Sequence, residues 1–140
     1  MTLKSKKIKE LDKLFSEYIR LRDATYGLGG SMQCISCGEM ISFPTCDCGH
    51  FIDRDVMILR WDEYNAHAQC RTCNRFLRES KEMKEAYRSN LCAKIGSDRV
   101  KILEDLKETI AHFNYLDLCE IETKIKEKTK GLRGWKQLNL

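Results

Sequence analysis

Cys34-Ile35-Ser36-Cys37-Gly38 and, further along, Cys70-Arg71-Thr72-Cys73-Asn74 are the stretches around which the rest of the chain organises. Each holds a C-x-x-C pair, a spacing that turns two thiolates toward one ion, and the glycine after the first pair permits the tight turn of a knuckle. Two such knuckles offer four sulfurs, a set that suits zinc because zinc is borderline-soft, redox-inert and content with tetrahedral thiolate. A chain of 140 residues can build only a modest core. A structural ion would add roughly 10–16 kcal/mol of apparent binding energy to its folding. A redox dithiol normally needs one C-x-x-C on a thioredoxin-like βαβ pattern, which is absent here. An iron–sulfur protein is the other alternative, and it would be coloured where a zinc protein is colourless.

The gap from Cys37 to Cys70 exceeds the roughly fifteen to twenty residues of a simple zinc ribbon, so a folded insert is expected there. It holds the only proline, Pro44, with β-prone runs at Met40-Ile41-Ser42-Phe43 and Phe51-Ile52, which predict short strands and turns. It also holds His50, in Cys46-Asp47-Cys48-Gly49-His50, and Asn65, shortly before the second knuckle. The order histidine, asparagine, then a helix opening at a C-x-x-C resembles the His-Asn-His (HNH, ββα-metal) nuclease layout, a treble-clef-like zinc-stapled core. That resemblance implies catalytic roles for His50, Asn65 and Asn74. A neutral imidazole at His50 can take a proton from water, and Asn65 can fix the ring without adding charge. Asn74 offers a hard carbonyl oxygen to magnesium or manganese, which would neutralise charge on a scissile phosphate. Asp47 is the candidate second ligand of that ion, although the general pattern places its acid immediately before the histidine and here Cys48 and Gly49 intervene. Arg54, Arg60, Arg71 and Arg75 flank the proposed site on both sides and suit DNA phosphates, or are solvated surface. In the competing reading, His50 joins Cys46 and Cys48 in a second metal cluster with His67 as fourth ligand; otherwise His67 contacts phosphate or holds the loop.

Outside the insert the pattern turns helical. Leu11, Leu14, Phe15, Tyr18 and Ile19 mark an N-terminal helix ending before the glycine-rich break at Gly27. Phe76, Leu77, Met83, Ala86, Tyr87 and Leu91 mark a second helix. Gly96-Ser97 reads as a stop followed by an N-cap, and Val100, Leu103, Leu106, Ile110 and Phe113 mark a third. Leu118, Ile121 and Ile125 mark a fourth that Gly131 should end, leaving a tail through Trp135. The expected architecture is mostly helical α+β: an N-terminal helix over 1–26, a zinc-bound HNH-like core over 27–95 and a helical region over 96–140. Cys92, Cys119 and His112 fall on helices and are assigned no chemistry.

A third of the residues are charged, with a net charge of +4, which permits nucleic acid without demanding it. The lysine-rich start and the C-terminal lysines could each widen an electrostatic footprint or be solvated faces, and the C-terminal set reads as a solvated face. No signal peptide or transmembrane run is evident, so a cytoplasmic protein with reduced thiols is expected, without membrane association.

Four blocks narrow the resemblance to the phage NinG (Rap) recombination-protein family: Leu11 to Asp23, Cys34 to Gly38, Asp47 to Ile52, and Arg60-Trp61 with Asn65 to Phe76. The match weakens beyond about Asn114. It implies a structure-specific endonuclease acting on Holliday junctions and D-loops, with DNA as partner. A homodimer would present two sites to a two-fold junction. The rival reading is a zinc-knuckle module that binds DNA or a recombination partner without cutting.

Overall fold

The computed structural model describes residues 1–24, 31–76 and 79–138, with side chains up to residue 133. The break at 27–30, Leu77 and the Trp135 side chain lie outside this description. In chain order the elements are α1 (Leu3–Asp23), β1 (Ser31–Gln33), β2 (Met40–Ser42), a 3-10 turn (Phe43–Thr45), β3 (Cys46–His50), α2 (Met57–Arg60), β4 (Ala66–Cys70), α3 (Arg71–Phe76), α4 (Lys81–Ile95), α5 (Ser97–Asp105) and α6 (Tyr115–Leu138). This is a mostly helical α+β protein with two small antiparallel sheets. β1 pairs with β2, and β3 pairs with β4 in a register running from Cys46 opposite Cys70 to His50 opposite Ala66.

The first helix begins where Thr2 caps it, its hydroxyl accepting from the Ser5 amide at 3.0 Å. Its stripe of Leu11, Phe15, Tyr18 and Ile19 is buried against Leu118 and Ile125 of α6 and Ala66 of β4. The first helix therefore covers one face of the β3–β4 hairpin, and the last helix packs along the first. The C-terminal end of α1 is sewn to β4 by polar contacts. Arg22 donates to the carbonyls of Glu63 (2.6 Å) and Ala66 (2.8 Å), and the Asp23 carboxylate accepts from the Ala68 amide at 2.8 Å. Burial opposes the charge on Asp23, but Arg22, Lys94 and the Ala68 amide outweigh it and hold the carboxyl below its usual range.

A second core lies under α4 and α5, where Tyr87, Leu91, Val100 and Leu103 pack around Leu59 and Ile35. The Tyr87 hydroxyl reaches into the hairpin and donates to the Gly49 carbonyl at 2.6 Å. Ser80 caps α4, accepting from the Met83 amide.

Several expectations fail for identifiable reasons. Phe51-Ile52 lies beyond β3, in a bend that returns the chain toward α2. Gly96, at φ +91, joins α4 to α5 directly, so Ser97 is the first helical residue rather than a cap. The third helix stops at Asp105, and Ile110 is 83% exposed. What restarts the chain is a reciprocal cap: Asn114 and Asp117 each accept the other's backbone N–H at 2.8 Å, opening α6 in a new direction. Gly131 does not end α6. No atom approaches the position of its missing β carbon, Leu132 packs on the α1–α6 core and Arg133 pairs with Glu17. Those contacts offset the ~1 kcal/mol that a glycine costs inside a helix. The C-terminal lysines are likewise not all solvated, since Lys128 pairs with Glu63 at 3.1 Å. Among the described residues, no helix is long and apolar enough to cross a membrane.

Candidate functional site

The two knuckles meet. Cys34 and Cys37 sit in a turn closed by the Gly38 amide donating to the Cys34 carbonyl at 2.9 Å, with Gly38 at φ +76, where a side chain would be strained. The Ile35 amide donates to the Ala68 carbonyl at 3.0 Å and docks this turn on β4. Cys70 ends β4 and Cys73 lies in α3, its amide donating to the Cys70 sulfur at 3.3 Å. All four sulfurs lie within 4.8 Å of one another. A zinc tetrahedron with bonds of about 2.3 Å has edges of about 3.8 Å, so these donors fit the ion with a small contraction. Burial raises the Cys34 thiol, but backbone N–H groups at Cys37, Cys70 and Ser36 prevail and bring it below its ordinary value. Burial pushes Cys37 and Cys73 up.

No second cluster of three metal-binding side chains forms among the described residues, which removes the Cys46, Cys48, His50 and His67 alternative. The Cys46 thiol faces the Met32 sulfur at 3.6 Å and the Phe43 carbonyl at 3.5 Å. Burial pushes the Cys48 thiol up to about 12 and the His67 imidazole down to about 3. His67 is a core residue of β4.

Beside the knuckles lies a groove of about 1170 Å³, walled by α1, the β3 strand and its following loop, α3 and α4. Asp47, His50, Arg54, Arg71 and Asn74 all line it. The Asn74 amide nitrogen donates to Asp47 Oδ2 at 3.1 Å, so the two candidate ligands of a second ion touch. Arg71 Nε lies 3.8 Å from Asp47 Oδ1, and Arg71 also donates to the Pro44 carbonyl at 3.2 Å. His50 Nε2 lies 2.8 Å from the Arg60 carbonyl oxygen. A carbonyl only accepts, so Nε2 carries the proton and Nδ1 keeps the lone pair. The Phe15 ring stands 5.9 Å from the imidazole. Burial lowers the His50 pKa, the Arg60 carbonyl opposes that, and Arg54 adds to the lowering.

Asn65 does not touch the ring. It is fully buried, accepts from the Ile52 amide at 2.8 Å, and donates to the carbonyls of Ile52 at 2.9 Å and Leu59 at 3.1 Å. It clasps the loop whose Arg60 carbonyl holds His50. Arg60 is not available to phosphate either, because its guanidinium grips Asp12 through Nε at 2.9 Å and Nη2 at 2.6 Å. Arg75 lies outside the groove, over the Phe76 ring at 5.5 Å. Asp12, Lys81, Lys84 and Arg88 also line the groove and escaped the reading of the sequence. The α4 cations were visible as an i, i+3, i+7 stripe; Asp12 gave only the weak signal of an acid beside a buried leucine.

These features define a mostly helical α+β protein that could hold a structural zinc beside a groove lined by a histidine and a carboxylate–amide pair. The chain belongs to the phage NinG family: residues 2–134 match the family described as "Bacteriophage Lambda NinG protein". It is 32% identical over 129 residues to "Protein ninG" of Escherichia phage 933W and, with the same figures, to that of Enterobacteria phage VT2-Sa; the match spans 91% of this chain and 58% of each relative. Against "Protein ninG" of Escherichia phage lambda the identity is 30%, over 91% of this chain and 57% of the relative. The chain thus spans little more than half the length of these relatives. No solved structure matches it.

Proposed function

We propose that the chain is an HNH-type, metal-dependent endonuclease that hydrolyses phosphodiester bonds in branched recombination intermediates such as Holliday junctions and D-loops. The observation that carries this reading is the groove, where the ring of His50, the touching pair Asp47 and Asn74, and the cations Arg54 and Arg71 share one open cavity. With Nε2–H engaged by the Arg60 carbonyl and its pKa lowered by burial, His50 is neutral near pH 7 and its Nδ1 can accept a proton from water. The hydroxide so formed attacks phosphorus. Asp47 and Asn74 would hold magnesium or manganese once the Asn74 amide turns its oxygen inward. Two protein oxygens suit magnesium, which keeps several waters and takes the rest from phosphate. When bound, the ion supplies charge stabilisation to the scissile phosphate and the leaving oxygen. Arg54 and Arg71 orient flanking phosphates. The zinc knuckle has a mechanical part, since it fixes α3, and with it Asn74, to the end of β4. The substrate class rests on family membership, and a homodimer would offer two grooves to a two-fold junction.

The test is His50→Ala incubated with labelled four-way junction, flap and linear duplex in magnesium. Cleavage should fall by at least about 100-fold, while zinc content and junction binding stay at wild-type levels. Equal cutting by the variant would remove His50 from the chemistry. A wild-type protein that binds all three DNAs and cuts none would be a zinc-knuckle binding module instead.

A further inference from the structure

We infer that Asp12, on the N-terminal helix and outside the histidine-bearing hairpin, is the positioning residue that sets the orientation and tautomer of His50. The inference rests on the proposed role of His50. The carbonyl that accepts from His50 Nε2 belongs to the peptide joining Arg60 to Trp61. Both residues flanking that peptide are tied to the one carboxylate. Arg60 donates to Asp12 Oδ1 through Nε at 2.9 Å and to Oδ2 through Nη2 at 2.6 Å, and Trp61 Nε1 donates to Oδ1 at 3.1 Å. A planar guanidinium gripped by two oxygens, with an indole on the same carboxylate, leaves the peptide between them little freedom to rotate.

The preceding carbonyl, of Leu59, is held by Asn65 at 3.1 Å, so the segment carrying the Arg60 oxygen is fixed from both directions. One helical turn beyond Asp12, Phe15 sets its ring 5.9 Å from the imidazole. Helix α1 thus addresses His50 twice, once through the peptide whose carbonyl accepts the Nε2–H hydrogen bond and once through the tilted Phe15 ring. Asp12 itself lines the groove, and the Arg54 guanidinium stands 3.9 Å from it. Asp12 therefore joins the wall that would meet the nucleic acid to the support of the ring. If the carboxylate is neutralised, Arg60 and Trp61 lose their common anchor. The Arg60 carbonyl can then turn away, and the proton on the imidazole can exchange between Nε2 and Nδ1, leaving part of the population without a lone pair where it is needed.

The experiment compares 15N chemical shifts of the His50 imidazole and single-turnover cleavage of a four-way junction in wild type, Asp12→Asn and Arg60→Lys, each with zinc content checked. Lysine at position 60 keeps the charge and loses the two-point grip, so it carries the comparison should Asp12→Asn fail to fold. Wild type should show one tautomer, protonated at Nε2. Both variants should move the two nitrogen shifts toward averaged values, and the saturating single-turnover rate constant should fall by about 10–100-fold with an unchanged half-saturating protein concentration. Wild type protonated at Nδ1, or wild-type shifts in a folded variant, would overturn the inference. Should wild type fail to cut any DNA, the proposed activity falls, and the shifts still decide whether Asp12 holds the ring.

Discussion

Removing the Asn65 side chain tests the support of the site most directly. Asn65→Ala deletes three hydrogen bonds, one accepted from the Ile52 amide and two donated to the carbonyls of Ile52 and Leu59. At a net value of about 1 kcal/mol each, their loss alone costs about 3 kcal/mol, and a buried group left without a partner costs about 1–3 kcal/mol. Asn65 is fully buried, so water reaches these backbone groups only if the loop opens. A destabilisation of about 3–6 kcal/mol follows, against a total stability of about 5–15 kcal/mol for an ordinary domain. The assay is urea denaturation at fixed zinc, with metal content measured on the same sample. The Phe51 amide still donates to the Asn65 carbonyl in the variant, so the hairpin should close and zinc should stay bound while the midpoint drops. A loss under about 1 kcal/mol would refute the clasp, because it would mean that the loop holds its shape without the amide. Normal stability with a changed His50 tautomer would instead make Asn65 a direct brace of the ring.

Three further outcomes follow from the same contacts. In Gly49→Ala the new carbon would stand 2.8 Å from Cβ of Gln69, so a loss of about 1–3 kcal/mol in urea is expected; an unchanged midpoint would show that Gln69 swings aside freely. Chelation of zinc at pH 7 should abolish the cooperative thermal transition followed by circular dichroism, and Cys37→Ser should lower zinc affinity; a chelated protein with an intact transition would exclude a structural ion. His67, held down at about 3, is protonated in the unfolded chain below about 6.5, so the unfolded state binds more protons and stability falls with pH from there, by up to about 1.4 kcal/mol per unit. His67→Gln should flatten that slope between about pH 6.5 and 5.5, and an unaltered slope would assign the acid sensitivity elsewhere.

What could be read in the sequence was whatever has a period or a fixed spacing. The two C-x-x-C pairs converge as their spacing required, and the stripes at Leu11, Phe15 and Ile19 and at Tyr87 and Leu91 are buried as helical repeats predict. The passage of α6 through Gly131 was not legible, because tertiary contacts at Leu132 and Arg133 override a local stop signal. The site divides in the same way. The resemblance to the HNH layout singled out Asp47, His50 and Asn74, with Arg54 and Arg71 beside them, and these five line one groove. Arg60 and Asp12, far apart in sequence, could be paired only once α1 had folded against the hairpin, so an arginine read as a phosphate contact is a structural one.

The proposed placement of the acid at Asp47 has a steric basis. The position before the histidine, where the general HNH pattern carries its acid, is Gly49, and the Gln69 side chain occupies the space into which any β carbon there would project. Gln69 is held in that place by its amide donating to Ser36 at 2.8 Å, within the first knuckle. A carboxylate at 49 would therefore collide with a residue tied to the cysteine turn. Moving it two positions along β3 keeps it on the same face of the strand and sets it at Asp47, opposite Gln69 in the register and within 3.1 Å of Asn74 on α3. Because α3 starts at the second knuckle, the cysteine site controls both sides of the proposed ion-binding pair: it packs Gln69 over Gly49 and it sets where Asn74 stands. Shifting the acid back by Gly49→Asp with Asp47→Ala should fail on its own, since Gln69 still blocks the strand.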